Sequence, residues 1–294
     1  MKYFEKHPFI MIIIGVIGIS LSSIFVKYSP APSSVTAAWR LLWTVVLMTP
    51  VALGSRQVRG EFRSAGKKTV LLSVLSGVFL AVHFAVWFES LAHTSVASST
   101  TIVCTEVIWV SLGYCLFLKG RLSLRAAAAI AVALAGSVLV AWSDSTSGGA
   151  HFYGDVLALV AAVAVAVYTL LGRMVREETS TTVYTYLCYC SCAGVLVLTC
   201  VAQGSGLLDY GWSAVLVGLL LSLFSTILGH SIFSWCLKFF SPSFVSASKL
   251  CEPVVAAVLA GFLFSEIPTL LQVLGGTLIL GGVLGYSRLE AKAE

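Results

Sequence analysis

The sequence predicts an all-α integral membrane protein whose ten transmembrane helices form two inverted five-helix repeats. Three observations predict it: an apolar composition, ten apolar stretches of membrane-crossing length, and an internal match at an offset of about 146 residues. Of 294 residues, 58% are hydrophobic and 11% charged, and the mean hydropathy is +0.97. Soluble domains carry about 25% charged residues. Apolar runs of about 20 residues can each cross a bilayer as a helix. They are too long and continuous for barrel strands, and open sheets cannot span lipid.

Breaks at Pro, Gly and charge clusters place the segments at 8–27, 35–53, 69–91, 95–117, 124–142, 153–173, 183–203, 212–238, 243–264 and 268–287. The first follows a basic start, as in a signal peptide. Its long core lacks a small-x-small cleavage site, and more apolar runs follow, so a retained helix is expected. The second carries Arg40, the third His83 and the fourth Glu106. The fifth presents Ala127, Ala131 and Ala135 on one face, and the tenth Gly281 and Gly285. Such small-residue faces permit close packing within the chain, with a homodimer seam as the alternative. The seventh contains "LCYCSC", in which Cys188 and Cys192 share a helical face and Cys190 does not. No His or second Cys pair accompanies them, so packed free thiols are expected rather than a metal site. The eighth is long enough to tilt or to extend past the membrane. The ninth carries Lys249 and Glu252.

Basic residues set the orientation. With the N-terminus in the cytoplasm, 15 of the 18 Lys and Arg fall on cytoplasmic segments; Lys27, Arg40 and Lys249 are the exceptions. Asp144, Asp155 and Asp209 fall on the outside. Both termini are therefore expected in the cytoplasm of a cell inner (plasma) membrane. The net charge of +5 then faces the anionic inner leaflet and needs no nucleic acid partner.

The halves match in detail. "LAHTSVASSTTIVCTE" lies over "LKFFSPSFVSASKLCE", which sets Ser95 on Ser241 and Glu106 on Glu252. "VHFAVWFESL" matches "GHSIFSWCL" with one gap, bringing His83 close to His230. Five helices is an odd number, so the second half starts from the opposite side of the membrane. Transporters built on inverted repeats bind substrate near the midplane between the halves. The expected units are 8–143 and 152–288.

Several stretches resemble the drug/metabolite transporter superfamily, EamA type. "SSIFVKYSPAPSSVTAAWRLLWTVVLMTP" is similar to the family's first helix, loop and Arg-bearing second helix. "SLAHTSVASSTTIVCTEVIWVSLGYCLFLKGRLS" and "FFSPSFVSASKLCEPVVAAVLAGFLFSEIPTLLQVLGGTLILGGVL" are similar to the ends of its two repeats. The second repeat has the family's Pro and Glu as Pro253 and Glu266. The first departs, with Val107 and Gly120 at those places. The resemblance spans roughly 8–288 and implies a permease fold, with export of amino acids and other metabolites frequent and import also found. Its motifs concern helix shape more than cargo.

Glu106, Lys249 and Glu252 fall near the middle of their segments. A charge at the bilayer centre costs about 2.5–3.5 kcal/mol, so three cost on the order of 8–10 kcal/mol if left in lipid. They must face inward, pair, or give up their charge. Lys249 is one turn from Glu252, which makes that pair one candidate; Lys249 serving Glu106 from the other half is another. Hydroxyls fall with them: Ser95 and Ser99, Ser76 and Ser90, Thr226 and Ser234, Ser241 and Ser248. Four polar stripes, two per half, imply a partly hydrated central cavity. His83, Trp87, Glu106, Trp109, Tyr168, His230, Lys249 and Glu252 are its candidate substrate-binding residues, and Glu106 and Glu252 its proton-coupling candidates. His83 and His230 can equally bond helix to helix. Arg40, placed near the outer end of its helix, is expected either to pair for structure or to gate the outer mouth. Trp39, Trp43, Trp142 and Trp212 fit interfacial belts, and Glu89 and Glu266 fit solvated ends.

These features imply a secondary transporter of a small polar or amphipathic metabolite, such as an amino acid, with export expected and proton coupling as a further expectation. The alternatives are an importer of a nucleoside or cationic metabolite and a membrane receptor or assembly subunit without flux. No Walker loop, no HExxH and no catalytic Asp or Ser spacing is present, so neither an ATPase nor an intramembrane enzyme is expected. No cofactor or metal is implied.

Overall fold

The computed structural model describes residues 7–94, 96–144, 152–252, 254–255, 258 and 269–290. Ser95, Pro253 and Glu266, together with much of the ninth segment, lie outside the described residues. Among those described, the chain is helical and contains no strand.

The helices are α1 Pro8–Lys27, α2 Ser33–Gly54, α3 Lys67–His93, α4 Ser99–Phe117, α5 Leu124–Asp144, α6 Phe152–Arg176, α7 Thr181–Ala202, α8 Gly211–Cys236, α9 Pro242–Ser248 and α10 Leu270–Glu290. Seven of them, α1 to α4 and α6 to α8, are long and apolar enough to cross a membrane. Within α5 and α10 the apolar stretches are shorter, Leu124–Leu139 and Val273–Leu289. A polar helix, Arg56–Ser64, joins α2 to α3. Ser55 caps it by accepting from the Val58 amide, and Arg59 donates to the Leu53 carbonyl at the end of α2.

Four helices are irregular where the sequence predicts continuity. Helix α1 turns at Leu21. Helix α4 breaks at Thr105, whose hydroxyl bonds the Ile102 carbonyl at 2.6 Å in place of a regular turn. Helix α8 widens into a π-helix over Leu221–Ser231. Helix α9 passes into a 3-10 turn, Lys249–Cys251, and helical backbone resumes at Glu252. The irregularities of α4 and α9 are equivalent: Thr105 and Cys251 are 146 residues apart, the offset of the sequence match.

Two apolar cores hold the helices together, and each draws on both sequence halves. One unites α2 and α3 with α6, α7 and the start of α8 around Leu41, Phe84, Tyr184 and Leu196. The other unites α1, α4 and α5 with the end of α8, α9 and α10 around Val107, Phe244, Leu250 and Ile279. Cys188 and Cys192 are buried in the first core and Cys190 is half-buried, as their spacing requires.

Small residues do pack inside the chain, but not on the faces expected from sequence: Ala131, Ala135 and Gly281 are exposed, and Gly282 faces Ala129 and Ala133 instead. Helices α5 and α10 form one of the two most extensive pairings. A Cβ added at Gly282 would stand 2.7 Å from the Ala129 carbonyl oxygen and 2.8 Å from the Ala133 Cβ. At Gly281 nothing lies within 4 Å. Gly282→Ala is therefore expected to lower the unfolding temperature in detergent through overpacking, by about 1–3 kcal/mol. Gly281→Ala is expected to be neutral or to add up to about 1 kcal/mol of helix propensity. Equal melting of the two variants would show that this seam is not closely packed.

Candidate functional site

A cavity of about 40 Å³ lies between the two cores, enough for a few water molecules. Its wall takes Ile19 and Ser22 from α1, Arg40 from α2, His83 and Trp87 from α3, and Thr100, Val103 and Glu106 from α4. Val165 of α6, His230 of α8, Lys249 and Glu252 complete it.

The helix irregularities place the charged groups. Glu106 is the first residue of the second half of α4, where free backbone N–H groups and the helix dipole favour a carboxylate. The 3-10 turn after α9 has three residues per turn, so Lys249 and Glu252 project from the same side. Lys249 Nζ lies 2.8 Å from Glu106 Oε1. Both groups are buried, and the contact is an ion pair whose angle is off that of an aligned hydrogen bond. Of the two pairings open from sequence, Lys249 thus takes the one across the halves. Glu252 Oε1 has no hydrogen-bond partner.

Arg40 is 0% exposed and lines the same cavity. Seven residues into α2, it sits about 10 Å down the helix at 1.5 Å per residue, rather than near the outer end. Its Nε donates to Thr226 Oγ1 at 2.7 Å and its Nη1 to Ser22 Oγ at 3.1 Å. The guanidinium stacks 4.0 Å over the Phe84 ring. Nη2 has no partner. The structural pairing is therefore with hydroxyls and an aromatic face, not with a carboxylate.

The histidines meet from the two halves, with ring centroids 6.3 Å apart. His83 Nδ1 lies 3.0 Å from the Ala161 carbonyl oxygen, and its ring stacks on Trp87 at 5.7 Å. His230 Nδ1 and Trp87 Nε1 have no partner. Two candidates stand apart from the cavity. Trp109 is 37% exposed and faces outward. Tyr168 is buried, with its hydroxyl 2.9 Å from Ser234 Oγ, and it does not reach the wall. The serine stripes also divide. Ser90 bonds Ser99 and the Gly154 carbonyl and so ties α3 to α4 and α6, whereas Ser248 bonds the Val245 carbonyl within its own helix.

Sequence reading missed Thr100 and Ser22 on the wall. It also left Arg40 out of the candidate substrate-binding residues, having placed it near the outer end of its helix. With Arg40 and Lys249 opposite Glu106 and Glu252, the formal charges are two positive and two negative and cancel. A lone Arg inside an apolar helix is itself a signal of an inward-facing functional group.

A family model for the EamA-like transporter family matches residues 8–142 and 152–288, nearly the whole chain. The chain belongs to the EamA-like transporter family. This makes it a multi-pass membrane protein of a family of transporters rather than enzymes. The uncharacterized transporter YxxF of Bacillus subtilis (strain 168) is 25% identical over 287 residues, covering 97% of this chain and 89% of its own. An uncharacterized transporter of Archaeoglobus fulgidus is 24% identical over 231 residues, covering 76% and 78%. One crystal structure of a protein superposes with a TM-score of 0.78 over 97% of this chain and 98% of its own, at 16% identity, and so shares the EamA fold.

The cross-half ion pair has a testable signature. Removing one partner of a buried pair strands the other charge and costs about 3–5 kcal/mol. Glu106→Gln is expected to lower thermal stability by that order. Glu106→Gln with Lys249→Met should regain most of the loss, because no charge is then left alone. A double variant as unstable as the sum of the two single ones would show that the groups act independently.

Proposed function

We propose that this EamA-family chain is a secondary transporter that exports a small, net-neutral polar metabolite, an amino acid or related zwitterion, by alternating access around the central cavity. One observation carries this reading. Arg40 Nη2, Trp87 Nε1, Thr100 Oγ1, His230 Nδ1 and Glu252 Oε1 are buried, converge on one cavity and lack hydrogen-bond partners. Buried polar groups are normally satisfied, so such a set awaits a ligand or ordered water. Arg40 and Trp87 offer donors to a carboxylate, and Glu252 offers an acceptor to an ammonium. The cancelling charges of the wall favour a zwitterion over a cation. In this reading the substrate stands among Arg40, His83, Trp87, Glu106, His230, Lys249 and Glu252. Proton coupling runs through Glu252, because Lys249 already occupies Glu106.

The proposed architecture is ten transmembrane helices in two inverted repeats, 8–143 and 152–288, in the cell inner membrane with both termini cytoplasmic. The equivalent irregularities at Thr105 and Cys251 support the repeat. The stacked His83 and Trp87 favour a second reading, a nucleoside importer, since a nucleobase can extend that stack.

The test is thermal stability of the detergent-purified protein against amino acids, nucleosides, polyamines and organic cations at pH 6 and pH 8. A ligand that binds only the folded state stabilises it by about 2.7 kcal/mol at a hundred times its Kd. The expected result is a shift with zwitterionic amino acids that Glu252→Gln and Arg40→Lys each abolish. A shift with nucleosides alone selects the second reading. A shift with polyamines alone overturns the zwitterion.

A further inference from the structure

A second cavity, of about 550 Å³, lies at one end of the molecule, lined by residues of the Arg56–Ser64 helix and by Thr69, Arg176, Ser180 and Lys238. Nothing in the transport reading accounts for it. Helices α3, α6 and α8 run from the central cavity toward it. Along α3, His83 is on the central wall and Thr69 on the second, with Ser76 midway. Along α6, Val165 and Arg176 are the two ends, and Tyr168 and Gly172 lie between. Along α8, His230 is on the central wall, Lys238 just beyond the helix is on the second, and Ser234 is midway. Helix α7 adds Tyr184, one turn inside Ser180.

The four midway side chains meet. Tyr184 Oη lies 2.8 Å from Ser76 Oγ, and Tyr168 Oη lies 2.9 Å from Ser234 Oγ. The Ser76 hydroxyl is also 3.3 Å from the Tyr168 carbonyl oxygen, so it joins α3, α6 and α7. All four residues are buried. Glycine at 172 lets the phenol approach, since a Cβ there would stand 2.7 Å from Tyr184 Oη. Beneath this layer Arg176 Nε donates to the Ser234 carbonyl at 3.1 Å, and Arg173 donates to the Leu237 carbonyl.

We propose that Tyr168 and Tyr184 form a closed gate between the two cavities, and that the second cavity is the vestibule of the transport pathway at that end. The chemistry suits a seal that must open. Neutral hydroxyl pairs exchange readily for bonds to water, whereas parting an apolar seam exposes surface that water does not compensate. The layer also explains why Tyr168 is polar, buried and yet absent from the central wall. The inference rests on the alternating-access reading.

Its test reads accessibility alone, so its outcome is separable from that of the ligand-binding experiment. Cysteines are introduced as Thr69→Cys in the vestibule and Val165→Cys one turn beyond Tyr168. Vesicles are treated with a small impermeant maleimide on the face that labels Thr69→Cys, and labelling is resolved site by site by mass spectrometry. Thr69→Cys is expected to label fast and Val165→Cys slowly. Adding Tyr168→Ala with Tyr184→Ala, which removes the rings that fill the layer, should speed Val165→Cys labelling at least tenfold and leave Thr69→Cys unchanged. Ser234→Ala, which cuts one of the same bonds without touching either ring, should also speed it. Native Cys192, 0% exposed, reports unfolding and should stay unlabelled throughout. Val165→Cys labelling that ignores all three substitutions, or that equals Thr69→Cys from the start, overturns the gate.

Discussion

The ion pair between Glu106 and Lys249 is the contact on which the centre of the molecule depends. Each group alone in the hydrocarbon of a bilayer is costly enough to oppose insertion. Together they are satisfied only if the two sequence halves meet there. The equivalent departures from regular helix at Thr105 and Lys249–Cys251 let them meet, because a continuous helix would carry both side chains elsewhere on its circumference. Arg40 repeats the arrangement on a smaller scale, reaching from α2 to Thr226 on α8 and Ser22 on α1. The polar centre thus rests on contacts between distant parts of the chain, and each apolar core likewise mixes the halves.

With Lys249 held by Glu106, the remaining carboxylate and the remaining guanidinium nitrogen are left facing the cavity without partners. A wall so composed is electroneutral and still strongly polar. In the proposed transport reading it discriminates by the placement of charge rather than by net charge. It also explains how so small a space tolerates four ionisable groups: two form an ion pair and one lies on an aromatic face.

Much of this was legible in the residues. Composition and segment length give the helical membrane class, and the match of Glu106 on Glu252 locates the cavity. Charges in apolar runs are conspicuous because lipid makes them expensive. Three features were hidden for physical reasons. The π-helix of α8 contains no proline and no unusual residue; α1 and α8 approach closely there at Gly18 and Gly229, a tertiary contact that local propensity does not register. The pairing of Lys249 turned on a 3-10 turn that hydrophobic periodicity does not register. Trp109 was grouped with Glu106 three residues before it, but at 3.6 residues per turn the two stand about 60° apart, and the indole faces outward. Arg40 was visible as a charge in an apolar run, but its depth was misjudged and its place on the cavity wall was missed.

The interleaving of the halves has a consequence during synthesis. Arg40 precedes its partner Thr226 by 186 residues, and Glu106 precedes Lys249 by 143. At about 5–20 residues per second, Arg40 waits on the order of ten to forty seconds for its acceptor. The first five segments therefore reach the membrane with Arg40 held only by Ser22 and Phe84 and with Glu106 still lacking its cation. They depend for that interval on the insertion machinery or on bound water, and the nascent first half is the most vulnerable form of the chain to quality-control proteolysis.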